Sequence, residues 1–409
     1  MTGTAPAPPS GPSDDIRDAI RIAQGARTKP KVAVTIVVVI AIMVVTLGWL
    51  AGWFAPTAPI VRPQTCAGKV EVTGAGTSTV SSAMQTWATV YNTSTCAKIS
   101  YANSSSGVSA LASKTVDFAV VDAPLSSGQS SELSPGPLSL PVTLEATAVV
   151  YDIPGVSSGL RLTGGLLAEI YLGDITNWNN SSIRALNPSI SFPASLSITP
   201  LYCSNSCATT LVFTGYLARS NPTWNETIGN SSSPAWPTGT GASDSGAVAE
   251  TVGTTPGALG YVEMPVAVQY GLAWADLQNV NGTFVAPSAR NTTASLASAN
   301  PATISETGAP SNQSLVDEAG NTTYPMATES YIVLYEDVGV AYSGAMTPNT
   351  AQWLGTYVLW ISTAAQDRAI PLGFAPLPGS IIVWNSDTIE KLLYYGLPVL
   401  SGGDADGGL

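Results

Sequence analysis

The stretch Lys69–Tyr91, KVEVTGAGTSTVSSAMQTWATVY, places a strand, a turn of small hydroxyl residues and a helix in immediate succession. KVEVTG alternates polar and apolar residues, which is typical of a β-strand. After the turn, large apolar residues recur at Met84, Trp87 and Tyr91, so they share one face of a helix. This strand–turn–helix unit predicts both the fold class and the kind of site that the rest of the chain builds.

Strands and helices continue to alternate beyond this unit. The strand patterns are AKISYA, VDFAVVDA, LEATAVVYDI, GALGYVE and ESYIVLYED, and the helix patterns are GVSALAS, GGLLAEIYLG, TTLVFTGYLARS, GAVAETVGTT and AQWLGTYVLWISTAAQDRA. Residues 275–325 are rich in Asn, Thr and Ser and predict irregular surface. The alternation predicts an α/β fold with mainly parallel sheets, and about 340 residues after the amino-terminal region suffice for two lobes.

The composition excludes several classes of function. The net charge is −12, which argues against nucleic-acid binding because phosphate backbones require a basic face. The chain has no histidine, so Ser-His-Asp and Cys-His catalysis and His-containing zinc sites are excluded. Since no paired-carboxylate motif is present either, we predict that the protein is not an enzyme and uses no metal and no cofactor.

An apolar run, Val32–Phe54, contains no charged residue and is long enough to span a hydrocarbon core of roughly 30 Å. Five basic residues precede it, and Arg62 alone follows nearby, so the positive-inside rule places the amino terminus in the cytoplasm. We therefore predict a single-pass protein of the cell membrane with an extracytoplasmic carboxy-terminal domain. A cleaved signal peptide is the alternative, although its apolar region is normally about 7 to 15 residues long.

The regions around this span are assigned by composition. Residues 1–31 are predicted to be a cytoplasmic tail, 32–54 the transmembrane anchor, 55–66 a Pro-rich linker, and 400–409 a flexible tail. Ten N-x-[ST] sequons fit a glycosylated external surface: Asn92, Asn103, Asn179, Asn180, Asn225, Asn230, Asn281, Asn291, Asn312 and Asn321.

The chain has four cysteines, and an even number in an exported protein indicates two disulfides. Cys66 and Cys96 precede successive strands joined by one helix, and such strands are usually parallel and often adjacent. This places the two residues close enough for a Cys66–Cys96 disulfide. Cys203 and Cys207 then pair with each other. A metal clamp lacks further ligands, and a redox switch suits an external compartment less well.

Three segments share a turn of small hydroxyl residues that leads into a helix: Thr73–Val80 (TGAGTSTV), Ala102–Val108 (ANSSSGV) and Ser204–Thr210 (SNSCATT). Helix amino ends leave backbone N–H groups free and carry a partial positive charge, to which Ser and Thr add hydroxyl donors. Several such ends together can bind an anion without a metal. Ordinary N-caps are the alternative for each segment alone, but three turns of one composition favour an anion site.

These turns, with TVDFAVVDAPLS, LAEIYLGDITNWNNSSIRALNP, LVFTGYLARSNPTWNETIG and PGALGYVE in this order, resemble the periplasmic phosphate-binding protein family of high-affinity phosphate ABC transporters. The resemblance covers the chain from about Lys69 to Leu397. It implies a two-lobed class II periplasmic-binding-protein fold, here preceded by one transmembrane helix, and an ABC transporter permease as partner. Lobe I would comprise residues 67–144 plus 326–399 and lobe II residues 145–325, joined by two crossover strands that act as a hinge.

The same resemblance implies a phosphate site built from hydroxyl and backbone donors and one carboxylate: Thr77, Ser78, Thr79, Ser104, Ser105, Ser106, Thr209 and Asp122. Asp122 falls on the family's acceptor carboxylate. An ionised Asp accepts a hydrogen bond from a P–OH group, which favours phosphate and arsenate over the fully deprotonated sulfate. An ordinary turn Asp is the alternative for this residue.

The third turn departs from the family pattern. The family's Arg, Asp, Ser and Gly are replaced here by Cys203, Asn205, Cys207 and Ala208. Thr209 is retained, and no Lys or Arg occurs between Arg184 and Arg219, so the guanidinium that would grip the anion is missing. Beyond Arg62, nine Lys and Arg stand against 24 Asp and Glu, a net charge of −15 that repels anions at long range.

This departure leaves three interpretations. The favoured one is a membrane-anchored extracytoplasmic solute-binding protein that takes phosphate or a similar oxyanion as a monoanion under acid conditions. The second is a site for a different or neutral solute. The third is a surface or assembly component that keeps the scaffold but has a degenerate ligand site.

Overall fold

The computed structural model describes residues 68–205, 207–298 and 315–400. The predicted cytoplasmic tail, the predicted membrane span 32–54, the linker 55–66 and Cys66 lie outside the described residues, as does the tail beyond Leu400. Of the helices within the described ranges, none combines the length and apolar character needed to cross a bilayer.

The described strands are numbered in chain order. They are β1 (Val70–Gly76), β2 (Ala97–Asn103), β3 (Phe118–Val121), β4 (Pro137–Tyr151), β5 (Leu160–Leu162), β6 (Thr199–Cys203), β7 (Thr240–Ala242), β8 (Ala258–Glu263), β9 (Ala273–Gln278), β10 (Phe284–Val285), β11 (Ala327–Tyr335), β12 (Leu393–Tyr394) and β13 (Leu397–Pro398).

The helices are numbered in the same way. They are α1 (Ser81–Ser94), α2 (Gly107–Ala112), α3 (Ser127–Glu132), α4 (Gly164–Leu172), α5 (Ser181–Leu186), α6 (Ala208–Ser220), α7 (Pro222–Thr227), α8 (Ser245–Thr254), α9 (Met264–Tyr270), α10 (Ala289–Ser298), α11 (Val338–Ala341), α12 (Pro348–Ser362) and α13 (Gly379–Ile389), with a 3₁₀ helix at Gln366–Leu372.

Eleven strands form one sheet, whose main path runs β2-β1-β3-β11-β4-β8-β6-β7. Strand β1 is parallel to β2 and β3, and β6 is parallel to β7 and β8. In the centre, β4 and β11 are antiparallel to each other, and they also oppose β8 and β3 respectively. The expectation of mainly parallel sheets is therefore wrong for the central strands, because β4 and β11 cross the molecule in opposite directions.

Two large hydrophobic cores follow one another along strand β4. One extends over residues 72–142 and 332–400, and the other over residues 146–326. Strand β4 takes part in both, since Val142 belongs to the first core and Ala146 to the second. The α/β chain therefore has two lobes. The domain boundaries given above remain a prediction at the level of single residues.

Helix α1 shows why the opening stretch folds as predicted. Met84, Trp87 and Tyr91 are buried on one face, as the periodicity predicts. The Trp87 indole nitrogen donates to the Ala365 carbonyl oxygen at 2.9 Å, which satisfies its N–H inside the core. The Tyr91 ring packs edge-on against Tyr357, 5.1 Å between centroids. The helix thus fixes the end of β1 against the first core.

The prediction of irregular structure for residues 275–325 is wrong in its first part. Strand β9 continues to Gln278, β10 follows, and α10 packs beneath the central strands. The polar composition hid this helix because its buried face contains Thr292 and Ser295. Their hydroxyls donate to the carbonyl oxygens of Ser288 and Tyr324, both at 2.9 Å, so burial leaves no donor unsatisfied.

The long helix predicted near the carboxy end is shorter than expected. Helix α12 stops at Ser362, and the residues AQDRA fall in a turn and the 3₁₀ helix. A hydrogen-bonding side chain explains the break: the Gln366 amide donates to the carbonyl oxygens of Val142 and Ile361. This buried anchor ties the end of α12 to β4.

Glycine permits the close approach of backbones where β1 ends. A Cβ atom on Gly76 would lie 2.0 Å from the Val120 carbonyl oxygen, and one on Gly107 would lie 2.7 Å from the Ala75 oxygen. Both contacts are with backbone, which cannot move aside as a flexible side chain can. These two glycines therefore allow β1, β3 and the start of α2 to converge.

We expect Gly76→Ala to lower the free energy of unfolding by about 1–3 kcal/mol, because the added methyl group overpacks the contact with β3. Urea denaturation measures the loss. Gly68→Ala is the matched control, since nothing lies within 4 Å of its added Cβ atom. Equal stability of the two variants would contradict the expected crowding.

A second prediction concerns pH. Glu329 on β11 pairs with Leu144 and is 6% exposed, and burial raises the pKa of its carboxyl to about 7. Below the ordinary pKa near 4.5 the carboxyl is protonated in both states. As pH rises toward 7, the unfolded chain releases this proton and the folded chain keeps it, so stability falls by up to about 3 kcal/mol.

Urea denaturation between about pH 4 and pH 7 should therefore show lower stability at the higher pH. The Glu329→Gln variant cannot titrate at this position, and its stability should decline less steeply over the same range. Parallel declines in the two proteins would remove Glu329 as a source of the pH dependence.

Candidate functional site

A cavity of about 600 Å³ opens where β1, β2 and β3 end. Gly76 pairs with Asn103 on one side and with Val120 on the other, so the three carboxyl ends meet at one edge of the sheet. The lining of the cavity consists of Thr77, Ser78, Asn103, Ser104, Ser105, Ser106, Gly107, Val108, Ser109, Val120, Val121, Asp122, Gln129 and Glu132. Six of the eight predicted ligand residues are thereby brought together, while Thr79 and Thr209 are not part of this lining.

Asp122 is the most constrained polar residue of the cavity. Its carboxylate accepts hydrogen bonds from the hydroxyls of Thr77 at 2.5 Å, Thr79 at 3.1 Å and Ser330 at 3.2 Å. Burial raises the pKa of this carboxyl, and the three hydroxyl donors oppose the rise. The network fixes Asp122 from both the turn after β1 and strand β11, and it turns the Thr79 hydroxyl toward the carboxylate.

Backbone hydrogen bonds attach the two hydroxyl turns of lobe I to the sheet. The Thr77 amide donates to the Val120 oxygen at 3.0 Å, and the Ser104 amide donates to the Gly76 oxygen at 2.7 Å. The Tyr101 hydroxyl donates to the Thr77 carbonyl oxygen at 2.7 Å. These contacts hold both turns at one mouth, where side-chain hydroxyls and free N–H groups can donate to a bound acceptor.

Positive charge is scarce around this cavity. Among the described residues that line it, there is no Lys or Arg. In the described part of the chain one ion pair forms, between Lys98 and Glu71 at 2.6 Å, and it lies on exposed surface. Neither residue of this pair lines the cavity, whose polar groups are hydroxyls, backbone N–H groups, the amides of Asn103 and Gln129 and the carboxyls of Asp122 and Glu132.

The third hydroxyl turn has a different structure. Cys203 ends β6, Cys207 precedes α6, and a disulfide joins them with their Cα atoms 6.3 Å apart. The Asn205 side chain donates to the Ser243 carbonyl oxygen at 2.7 Å. Thr209, in the first turn of α6, is 3% exposed, and its hydroxyl has no hydrogen-bond partner. Among its described residues, this turn therefore presents one unsatisfied hydroxyl and no charge.

Of the two cysteines in the other predicted disulfide, one lies among the described residues. Cys96 is disulfide-bonded, but Cys66 lies outside the described residues. The strand pairing on which the prediction depends is present, since Val70 of β1 is aligned in parallel with Ala97 of β2. The Cys66–Cys96 pairing itself remains a prediction.

Sequence reasoning missed the acidic residues of the central strands. Glu145 on β4 pairs with Thr328, and Thr147 pairs with Glu263 on β8. Burial raises the pKa of both glutamate carboxyls, and the charge of Asp122 adds to the rise in each case. No motif marks either residue, because their juxtaposition depends on strand register. A lone Glu within the apolar run LEATAVVYDI was the available signal.

The sequence of this chain is similar to those of known phosphate-binding proteins. A model of the PBP superfamily domain matches residues 58–362. The phosphate-binding protein PstS of Pasteurella multocida is 32% identical over 314 residues, covering 76% of this chain and 87% of the relative. The corresponding protein of Haemophilus influenzae is 33% identical over 316 residues, covering 76% and 90%.

Solved structures agree at the level of the fold. The phosphate-binding protein from Stenotrophomonas maltophilia has a TM-score of 0.53 at 16% identity, over 78% of this chain and 93% of that one. An ancestral soluble variant of the human phosphate-binding protein has a TM-score of 0.59 at 16% identity, over 79% and 99%. With the matches in sequence, the two lobes and the shared sheet, the chain belongs to the PstS family of phosphate-binding proteins within the PBP superfamily.

Proposed function

We propose that this protein is the extracytoplasmic solute-binding component of a phosphate ABC transporter and that it binds phosphate or a similar oxyanion between its lobes. The observation that carries the proposal is the cavity in which Thr77, Ser78, the Ser104–Ser106 turn and Asp122 meet. Its hydroxyls and backbone N–H groups suit the oxygens of a tetrahedral anion. The bound solute would then pass to the permease of the transporter.

Asp122 gives the proposed site its selectivity. An anion that carries a proton can donate to the carboxylate, whereas fully deprotonated sulfate would meet a second acceptor. The three hydroxyls that hold Asp122 leave its orientation little freedom. Phosphate and arsenate should therefore bind in preference to sulfate.

The shortage of positive charge favours a monoanion. A charge-assisted Arg contact is typically stronger than a neutral hydrogen bond, and here Cys203 occupies the corresponding position. Singly charged phosphate needs less compensation than the dianion, and it predominates in acid. We accordingly propose that binding is strongest at low pH.

The location that we propose combines the family with the amino-terminal sequence. Val32–Phe54 would anchor the chain in the cell membrane, with residues 1–31 in the cytoplasm and the two lobes outside. N-linked glycans would occupy part of the exposed sequons. Asn225 is exposed, whereas the Asn92 amide donates to the Ile99 carbonyl oxygen at 2.9 Å, so Asn92 is a poorer acceptor.

A surface or assembly component built on the same scaffold is the second candidate. The altered third turn favours it, because a disulfide-bonded segment without charge replaces the residues with which the resembled family grips its anion. Such a protein would keep the lobes and the cavity but would bind no oxyanion. Direct measurement of binding separates the two candidates.

Isothermal titration calorimetry of the 409-residue chain should show phosphate and arsenate binding at about pH 3–4, with weaker binding at about pH 7, because the dianion is repelled by the acidic surface and cleft. Sulfate should bind more weakly than phosphate at about pH 7. The preference should narrow at about pH 3–4, because burial raises the pKa of the Asp122 carboxyl and a protonated carboxyl can itself donate to sulfate. An absence of heat with all three anions at both values would overturn the transport proposal and leave the surface role.

The Asp122→Asn variant should narrow the preference for phosphate over sulfate by at least about tenfold, since the new amide N–H₂ can donate to sulfate where the carboxylate repels it. Competition titrations with the two anions at one pH measure the ratio. Asp117→Asn is a matched control, because Asp117 accepts from the Thr73 amide at 2.7 Å and is not part of the cavity lining. If Asp122→Asn discriminates like the unmodified protein, Asp122 does not select the ligand.

A further inference from the structure

The central strands present a continuous polar row on one face of the sheet. Across β4 and β11, Thr143 pairs with Ser330 and Glu145 with Thr328. Alternate residues of a strand share a face, so Ser330, Thr328 and Glu145 point the same way. The Ser330 hydroxyl donates to Asp122, which lines the cavity, so the row begins directly beside the cavity although Ser330 and Glu145 are not part of its lining.

The row continues into lobe II through β8. Thr147, two residues after Glu145, pairs with Glu263. Paired residues of an antiparallel ladder have their side chains on the same face, and diagonal neighbours lie roughly 7–8 Å apart. Glu145 thus stands between Asp122 of lobe I and Glu263 of lobe II, where the two lobes meet.

Two carboxyl oxygens of this row are left without partners. Glu145 is 4% exposed, and its Oε2 atom is buried with no hydrogen bond. Its Oε1 atom has only the Thr328 hydroxyl, at the outer limit of 3.5 Å. The Oε2 atom of Glu263 is likewise buried and unpartnered. Native proteins rarely leave such atoms unsatisfied, so each points to a missing partner.

No positive charge compensates for these carboxyls within the described residues. The charges that act on Glu145 are those of Asp122 and Glu263, and Glu263 in turn is acted on by Asp122 and Asp244. Tyr261 and Tyr331 on the same strands stay neutral, because burial raises the pKa of both hydroxyls. The other elements packed against β4 carry Arg219, Glu250, Asp276, Arg290 and Asp387, and Glu329 lies on the opposite face.

An ionised carboxylate at Glu145 would be unfavourable for two reasons. It would be buried without a cation or adequate donors, and it would repel both its acidic neighbours and any anion in the cavity. Burial, followed by these neighbouring charges, raises the pKa of Glu145 well above its usual range. A neutral carboxylic acid carries one O–H donor, which is the group that an oxyanion requires.

We propose that Glu145 and Glu263 form the hinge-side wall of the oxyanion site as neutral carboxylic acids whose O–H groups donate to the bound anion. The inference rests on the proposed function and adds two ligand-contacting residues to it. In the resembled family a guanidinium donates hydrogen bonds to the anion. Here the protonated carboxyls would supply part of these donors without carrying a fixed charge. Binding competence is lost when rising pH ionises them.

The test compares phosphate affinity, from about pH 4 to pH 8, in the unmodified chain and in the Glu145→Gln/Glu263→Gln double variant. Glutamine keeps an N–H donor and cannot ionise. We expect affinities within a few-fold of each other at the acid end. At the alkaline end the double variant should bind at least about tenfold more tightly, since each ionised carboxyl weakens binding by up to tenfold per pH unit above its pKa.

Inorganic phosphate titrates in the same range, but its titration contributes equally to both proteins, so the difference belongs to the carboxyls. Glu329→Gln is the matched control, because Glu329 is a buried glutamate on the opposite face. It should leave the pH dependence of affinity unchanged. Identical pH profiles for the unmodified chain and the double variant, or the same change in Glu329→Gln, would overturn the inference.

A measurement on the unmodified chain guards against a variant that does not fold. Calorimetry near pH 7 in two buffers of different ionisation enthalpy gives the protons taken up with each anion. The same measurement is repeated through the pH range of the affinity comparison. Where the affinity of the unmodified chain falls below that of the double variant, we expect more uptake than phosphate alone accounts for. No excess at such a pH would refute the inference even if phosphate binds well. A complete lack of phosphate binding at every pH would instead overturn the proposed function and this inference with it.

Discussion

Strands β4 and β11 pair over nine residue positions, from Ala327 with Ala146 to Tyr335 with Pro137. The two lobes depend on this antiparallel pair, because β4 takes part in both large hydrophobic cores, whereas β11 contributes Ile332–Tyr335 to one of them and Met326, just before β11, belongs to the other. One face of the pair packs on the small apolar cluster around Leu144 and Leu377. The other face bears Ser330 and Glu145. A change in register by one residue would exchange these faces, so the ladder fixes the core and the polar row together.

The local part of this structure could be predicted from sequence. Period-two and helical patterns predicted β1 and α1, and the hydroxyl turn between them predicted the residues at the cavity mouth, because all of these depend on neighbours along the chain. The resemblance to a known family added Asp122 and the two lobes. The helix Ala289–Ser298 was missed because Thr and Ser are typical of surface segments. Their burial here depends on hydrogen bonds to carbonyl oxygens, which the sequence does not reveal.

The non-local part could not be predicted in the same way. Glu145 and Glu263 are 118 positions apart in numbering, and they approach through the pairing of β4 with β8. Nothing in either local sequence specifies that pairing. The mainly parallel sheet was expected for a related reason: alternation of strands and helices predicts the lobes, whereas the direction of the two crossing strands is set by how the lobes are connected. The same holds for Thr209, whose unsatisfied hydroxyl is visible only after packing.

The electrostatics of the cavity differ from those of an anion site built around a cation. Hydroxyls, amides and carboxyls supply directed hydrogen bonds without long-range attraction. The proposed site would discriminate by geometry and by the proton content of its ligand, and it would gain little from steering. It would therefore suit surroundings in which the ligand, Glu145 and Glu263 are protonated.

The Cys203–Cys207 bridge restrains the third hydroxyl turn, and this restraint would favour anion binding at the proposed site. A covalent ring of five residues at the start of α6 restricts the conformations that the turn samples before any ligand arrives. In the proposed site, less conformational entropy would then be lost when the anion binds, which is the general benefit of preorganisation. Where the resembled family relies on a charge at this turn, the bridge would contribute by restraining the turn before the ligand arrives.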